Sequence, residues 1–209
     1  MTLDRAVEIV AGRKDAWART PVRDRIDLLR RCIDGCVATA PEVVRQSCQA
    51  KGLPFDAPAA AEEWLSGPVP VVRNLRLLVE TLCDIVRHGH PRVGRIGRAP
   101  SGELTVDVFP RDRFDAVLYP AVRITVWMQS DVTESTVRDT MATAYRDLEH
   151  ARGRVALVLG AGNVSSIGPM DLLTKLIVEN RVVILKTHPI NSYLAPLLER
   201  AFEPLVSAG

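Results

Sequence analysis

Two continuous apolar runs, Val155-Ala156-Leu157-Val158-Leu159 and Val182-Val183-Ile184-Leu185, constrain the fold of this chain more than any other feature. Such a run is the pattern of a strand buried on both faces in a parallel sheet. Gly160-Ala161-Gly162-Asn163 breaks the first run. Ser165 or Ser166 then caps a helix that Pro169 enters in its first turn. Met170, Leu173, Leu176 and Ile177 are its inward face, and Asn180 ends it. Lys186 follows the second run, and beyond Pro189 either Asn191 or Ser192 caps another helix, with Leu194, Leu197, Leu198 and Phe202 inside. Pro196 is compatible with that helix only in its opening turn. Strand, helix, strand, helix is the start of a doubly wound parallel sheet.

The first ninety residues read as helices. Leu3, Ala6, Val7, Val10 and Trp17 recur at helical spacing, and Thr20-Pro21 marks a stop and a restart. Residues 23–37 carry an amphipathic stripe of Ile26, Leu29, Cys32, Ile33 and Cys36. Pro41 is expected to open the next short helix, which Gly52-Leu53-Pro54 ends. Gly67-Pro68 and Pro70 precede a long helix over residues 71–86, with Leu75, Leu78, Val79, Leu82 and Ile85 on one face. From Pro91 the texture changes. Gly94, Gly97, Pro100 and Gly102 punctuate short strands: 104–108, with 117–119 and 122–128 as further candidates. A helix is then expected from Thr133-Glu134 to about residue 152, carrying Val137, Met141, Ala144, Tyr145 and Leu148. The expected organisation is a helical layer over 1–90, a β-ribbon over 91–130 and a partial dinucleotide-binding α/β unit over 131–209.

Composition excludes several classes of function. Lys plus Arg number 27 against 25 for Asp plus Glu, too even a balance for a nucleic-acid surface. No run of about 18 apolar residues suggests a membrane span, and residues 1–20 lack the apolar core of a signal peptide. Cys32, Cys36, Cys48 and Cys83 contain no CxxC pair. They fit a reduced, cytoplasmic setting rather than disulfides or a metal site.

The turn after Leu159 admits two readings. In the dinucleotide fingerprint, Gly160 and Gly162 match but Ser165 stands at the third glycine, and basic Lys186 replaces the acidic residue expected after the second strand. The alternative rests on Asn163 and Lys186, which lie 23 positions apart across a strand–helix–strand unit. In that spacing and order the segment resembles the first such unit of the aldehyde dehydrogenase superfamily, as a divergent branch near the fatty acyl-CoA reductases. The departures are Gly162 before the asparagine, Leu172 nine positions after it, and Pro189 three after the lysine.

The resemblance implies an α/β fold in which a helical layer and a small antiparallel ribbon precede the first half of a Rossmann-like parallel sheet. It implies an NAD(P)-dependent oxidoreductase acting on an aldehyde or acyl substrate. Asn163 would be the catalytic amide donor that stabilises the oxyanion, and Gly160, Gly162, Lys186, Thr187 and Pro189 would contact NAD or NADP. The family's nucleophilic cysteine and general-base glutamate would come after Gly209, so the chain is expected to be a truncated form, inactive alone. Its expected partners are further copies of itself or a complementing C-terminal chain, with no nucleic acid and no membrane. The competing reading is a non-catalytic nucleotide-binding or protein-interaction module that works through an unfinished sheet edge. A plain structural reading of the two central residues also stands: asparagine tolerates left-handed turns, and lysine is often the first solvated residue after a strand.

Overall fold

The computed structural model describes residues 2–208 as a mixed α/β molecule, mostly helical. The Thr2 hydroxyl opens α1 (Leu3–Ala18) by accepting the Arg5 N–H at 3.3 Å. Helix α2 (Val22–Ala50) begins after Pro21, as expected, but runs unbroken through Pro41. The missing proline N–H would have bonded the carbonyl of Val37; that residue is 58% exposed, so water can solvate the freed oxygen. After a 3₁₀ turn and α3 (Ala61–Ser66) comes α4 (Pro68–His88), with Pro68 and Pro70 confined to its first turn. Gly89, at φ +78°, ends α4 by donating its N–H to the Ile85 carbonyl at 2.8 Å.

These helices enclose the main core, where Ile26, Leu29, Cys32 and Cys36 of α2 meet Leu75, Leu78 and Leu82 of α4. Burial of each large aliphatic side chain contributes about 1.5–3 kcal/mol. The same core continues into the C-terminal quarter through Leu173, Ile177, Val182 and Phe202. Helix α2 also crosses a later helix at Gly35 so closely that a Cβ there would lie 2.4 Å from the Ala201 carbonyl oxygen. Only glycine fits that crossing.

A three-stranded antiparallel sheet is formed by β1 (Ile96–Arg98), β2 (Leu104–Phe109) and β3 (Ile124–Trp127), with β2 in the centre. The expected strand over 117–119 is instead the end of a helix, α5 (Arg113–Leu118). Asp112 nucleates it by accepting the Asp115 N–H at 2.8 Å, a local cap that outweighs the β propensity of Val117 and Tyr119. The long helix expected to reach residue 152 is only α6 (Glu134–Asp139), opened by a Thr133 capping box. Ala142 takes a left-handed conformation (φ +49°) and redirects the chain, so that Tyr145 turns inward against Arg25.

The C-terminal quarter is the expected parallel unit. Strands β4 (Val155–Leu159) and β5 (Val182–Lys186) pair in parallel, and between them run α7 (Ile167–Leu173) and its continuation as a wider π turn over Thr174–Val178. Asn180 ends that segment at φ +54°. Helices α8 (Ala195–Ala201) and α9 (Glu203–Ala208) follow, with Pro196 in the opening turn of α8. Ser166 sits at the start of α7 but makes no capping bond, and His188, not Asn191 or Ser192, caps the turn after β5. The expectation of strands buried on both faces is also corrected. Ala156 and Val158 are buried, whereas Leu157 and Leu159 are 57% and 69% exposed, because nothing among the described residues covers the outer face of β4. No helix among the described residues is long and apolar enough to cross a membrane.

Two buried carboxylates fasten the ribbon and α5 to α4. Asp84 accepts from the backbone N–H and Nε of Arg92, at 3.3 and 3.0 Å. Both oxygens of Asp115 accept from Arg73, at 2.9 and 2.8 Å. Burial alone would raise these carboxyls, but the hydrogen bonds and cationic neighbours hold both below the ordinary carboxylate range. A lowered folded-state pKa contributes stability above the unfolded value and loses it as pH falls through the folded one. The urea midpoint of the wild type should therefore drop as pH is lowered from about 5 towards 3, and Asp115→Asn should show a shallower drop. Parallel curves would contradict the clamp.

Candidate functional site

The register pairs Leu159 with Lys186, and the Gly160 N–H donates to the Lys186 carbonyl at 2.8 Å. The exit turn of β4 and the exit of β5 consequently share one end of the sheet, the carboxyl end where ligands of open α/β sheets lie. All the residues singled out in the sequence, Gly160, Gly162, Asn163, Lys186, Thr187 and Pro189, belong to these two exits. Asn163 and Lys186 are exposed, Thr187 is half-buried, and Pro189 is the exposed first residue of the 3₁₀ turn Pro189–Leu194.

Neither glycine of the turn has a positive φ, so backbone freedom is not what requires them. Close approach is. A Cβ on Gly162 would lie 2.8 Å from His188 Nδ1 and 2.9 Å from Cε1, so the imidazole occupies the room a side chain would need. On Gly160 a Cβ would come within 3.3 Å of the Lys186 carbonyl oxygen. Asn163 also lacks a positive φ. The left-handed-turn explanation therefore does not account for it.

Two residues that sequence reasoning passed over, Gly168 and His188, and one that it read only as a helix cap, Asn191, complete the arrangement. Gly168, in the first turn of α7, is where a Cβ would stand 3.7 Å from the Gly160 Cα and from Leu185 Cδ1. A side chain there would make ordinary contact with both strands, so the position faces them without requiring glycine. It stands three positions beyond Ser165, and a search for a displaced glycine would have found it. His188 fills the turn and accepts the Ile190 N–H through Nδ1 at 3.3 Å. Asn191 donates from Nδ2 to the Ala161 carbonyl at 3.0 Å and ties the two exits together. No sequence pattern announces either contact.

This edge encloses little space. The hollow between Gly160, Leu185, Thr187 and His188 measures about 20 Å³, room for one water and not for a pyrophosphate. The donors that a ribose or phosphate could use, the Lys186 ammonium and the Thr187 hydroxyl, lie at the strand exit beside it. A roomier cavity, about 520 Å³, lies elsewhere, against α2, α4 and α5.

Neither Cys32 nor Cys36 is a nucleophile as it stands. Cys32, Cys36 and Cys48 are buried. Burial pushes the Cys32 and Cys36 thiols up to about 12, which keeps them protonated at neutral pH. Cys83 is half-buried on α4, away from the strand exits in sequence and element. Alkylation of the folded protein at pH 8 should label Cys83 first and reach Cys32 and Cys36 only on unfolding. Peptide mapping that found Cys32 or Cys36 modified as fast as Cys83 would contradict this.

No protein-family model, curated protein or solved structure matches the chain.

Proposed function

We propose that the chain is the cofactor-side part of an NAD(P)-dependent oxidoreductase of aldehyde dehydrogenase type, with a Rossmann-like half-sheet whose paired strand exits hold the dinucleotide. The single observation that supports this most is the parallel register Leu159–Lys186, since it sets the turn bearing Asn163 and the end bearing Lys186 side by side. Opposite ends, or antiparallel pairing, would have left no common ligand.

The residue types suit the chemistry. The Asn163 amide is an exposed neutral donor at a strand exit, suited to the oxygen of an aldehyde or acyl group on which negative charge develops; removing such a donor from comparable sites costs roughly 2.7–4 kcal/mol in transition-state stabilisation. The Lys186 ammonium offers three donors for ribose hydroxyls and a charge for a further phosphate, which makes NADP as suitable as NAD. Thr187 adds a hydroxyl, and Pro189 fixes the backbone beyond it. The dinucleotide, when bound, supplies the hydride acceptor. The four cysteines sit on α2 and α4 and not at the strand exits, so turnover there requires a nucleophile from elsewhere.

A second reading is favoured by a separate observation: Val155, Leu157 and Leu159 expose an apolar face of β4, and the two-stranded sheet has unpaired edges. Such a surface suits strand addition by another protein.

Calorimetric titration with NAD and with NADP separates the two. Binding of either, weakened about tenfold or more in Lys186→Ala, is the expected result, from the loss of roughly 1.5–3 kcal/mol per charged hydrogen bond. Equal binding by wild type and variant would remove Lys186 from the site, and no binding of either dinucleotide would leave the protein-interaction reading.

A further inference from the structure

The strand exits do not use the cavity of about 520 Å³ that lies against α2, α4 and α5. That volume lies within the range of small-molecule pockets, roughly 300–1,000 Å³. Its walls are mostly apolar, and three aromatic side chains, Trp64, Phe114 and Tyr119, line it. Phe114, Leu118 and Val37 are 65%, 53% and 58% exposed and all line it, so much of the exposed apolar surface of α5 opens into a concave space rather than onto a flat face.

The polar groups of this cavity are largely spent on structure. Asp115 holds Arg73 through both oxygens, and Asp112 accepts the Asp115 N–H as the cap of α5. Arg76 and Glu80, one helical turn apart on α4, bring one charge of each sign. Charges of both signs leave no net field to hold an ion, whereas the aromatic and aliphatic walls favour stacking and area burial. The Arg73–Asp115 pair also fixes α5 as a wall, so the cavity is preformed and its occupant does not have to order it.

We infer that this cavity is a second binding site, for an uncharged, flat apolar molecule that stacks on aromatic side chains. It is independent of the dinucleotide reading: its walls include no residue of the strand exits. A molecule of that class would cover Phe114 and Leu118 and stack against the aromatic walls.

The test is calorimetric titration of the whole chain with 2-naphthol and, as the anionic counterpart, 2-naphthoate. Naphthol should bind saturably, one per chain, and at least about tenfold more tightly than naphthoate. Val69→Trp, at a lining position 47% exposed, should fill the mouth and weaken naphthol at least about tenfold with unchanged far-ultraviolet circular dichroism. Phe114→Ala, at a more exposed position, keeps the test alive should the tryptophan variant fail to fold, and should weaken binding about threefold or more. Absence of saturable heat with naphthol would overturn the site, as would unchanged affinity in the folded variants. Naphthoate binding as tightly as naphthol would overturn the ligand class. A concentration-dependent dimer that Phe114→Ala abolishes, with no uptake of naphthol, would assign the cavity to a second copy and overturn the inference.

Discussion

A buried cation with no counter-ion among the described residues holds the two parts of this molecule in register. Arg25 is fully buried near the start of α2, and neutral oxygens satisfy its guanidinium: Trp17 and Ala18 carbonyls at 2.7 and 3.1 Å, the Thr20 carbonyl at 3.0 Å, and the Tyr145 hydroxyl at 3.4 Å. It also lies over the rings of Trp17 and Tyr145, at 4.8 and 5.2 Å. Burial lowers its pKa from the usual arginine value, the direction desolvation dictates. Its two aromatic neighbours reach the α7 segment in turn. Trp17 Nε1 donates to the Leu176 carbonyl at 3.2 Å, and Tyr145 donates to that of Ile177. A cation in such a place costs several kcal/mol unless every donor is engaged, and that demand fixes the α1–α2 corner against the segment feeding β5.

The strand exits inherit their position from that corner. Asn180 donates to the Ala18 carbonyl at 3.1 Å just before β5 begins, so the start of the strand is set by the same backbone that holds Arg25. From there the parallel register carries the order to Leu159 and Lys186. Order then stops abruptly on one side. The inner residues Ala156 and Val158 are buried, while the alternate residues of β4 remain open. The half-covered pair of strands leaves an apolar face and two unpaired edges open among the described residues.

How much of this the sequence discloses depends on whether the signal is local. The parallel pair, the helices that follow each strand and the stop at Asn180 are legible because periodicity and chain-breaking residues act within a few residues, although the capping residues themselves are not. Periodicity reports which faces are apolar but not whether a cover exists, so Leu157 and Leu159 read as buried when they are open. The helix through Pro41 is invisible because the reason it survives, solvent beside Val37, belongs to the packed structure. Val117-Leu118-Tyr119 misleads in the opposite way: three apolar residues suggest a strand, while the decisive Asp112 cap lies five positions earlier. At the site, the glycines and both polar residues stand out in sequence, but the His188 ring against Gly162 and the Asn191 tie to Ala161 are contacts between loops, which spacing does not encode.

The central claim is that one core, nailed at Arg25, orders both the helical layer and the strand pair. Amide hydrogen exchange in Arg25→Met tests it most directly. The account predicts that the amides of Val155–Leu159 and Val182–Lys186 lose protection together with those of α1 and α2. Loss confined to residues 17–25, with the strands as protected as in the wild type, would contradict it.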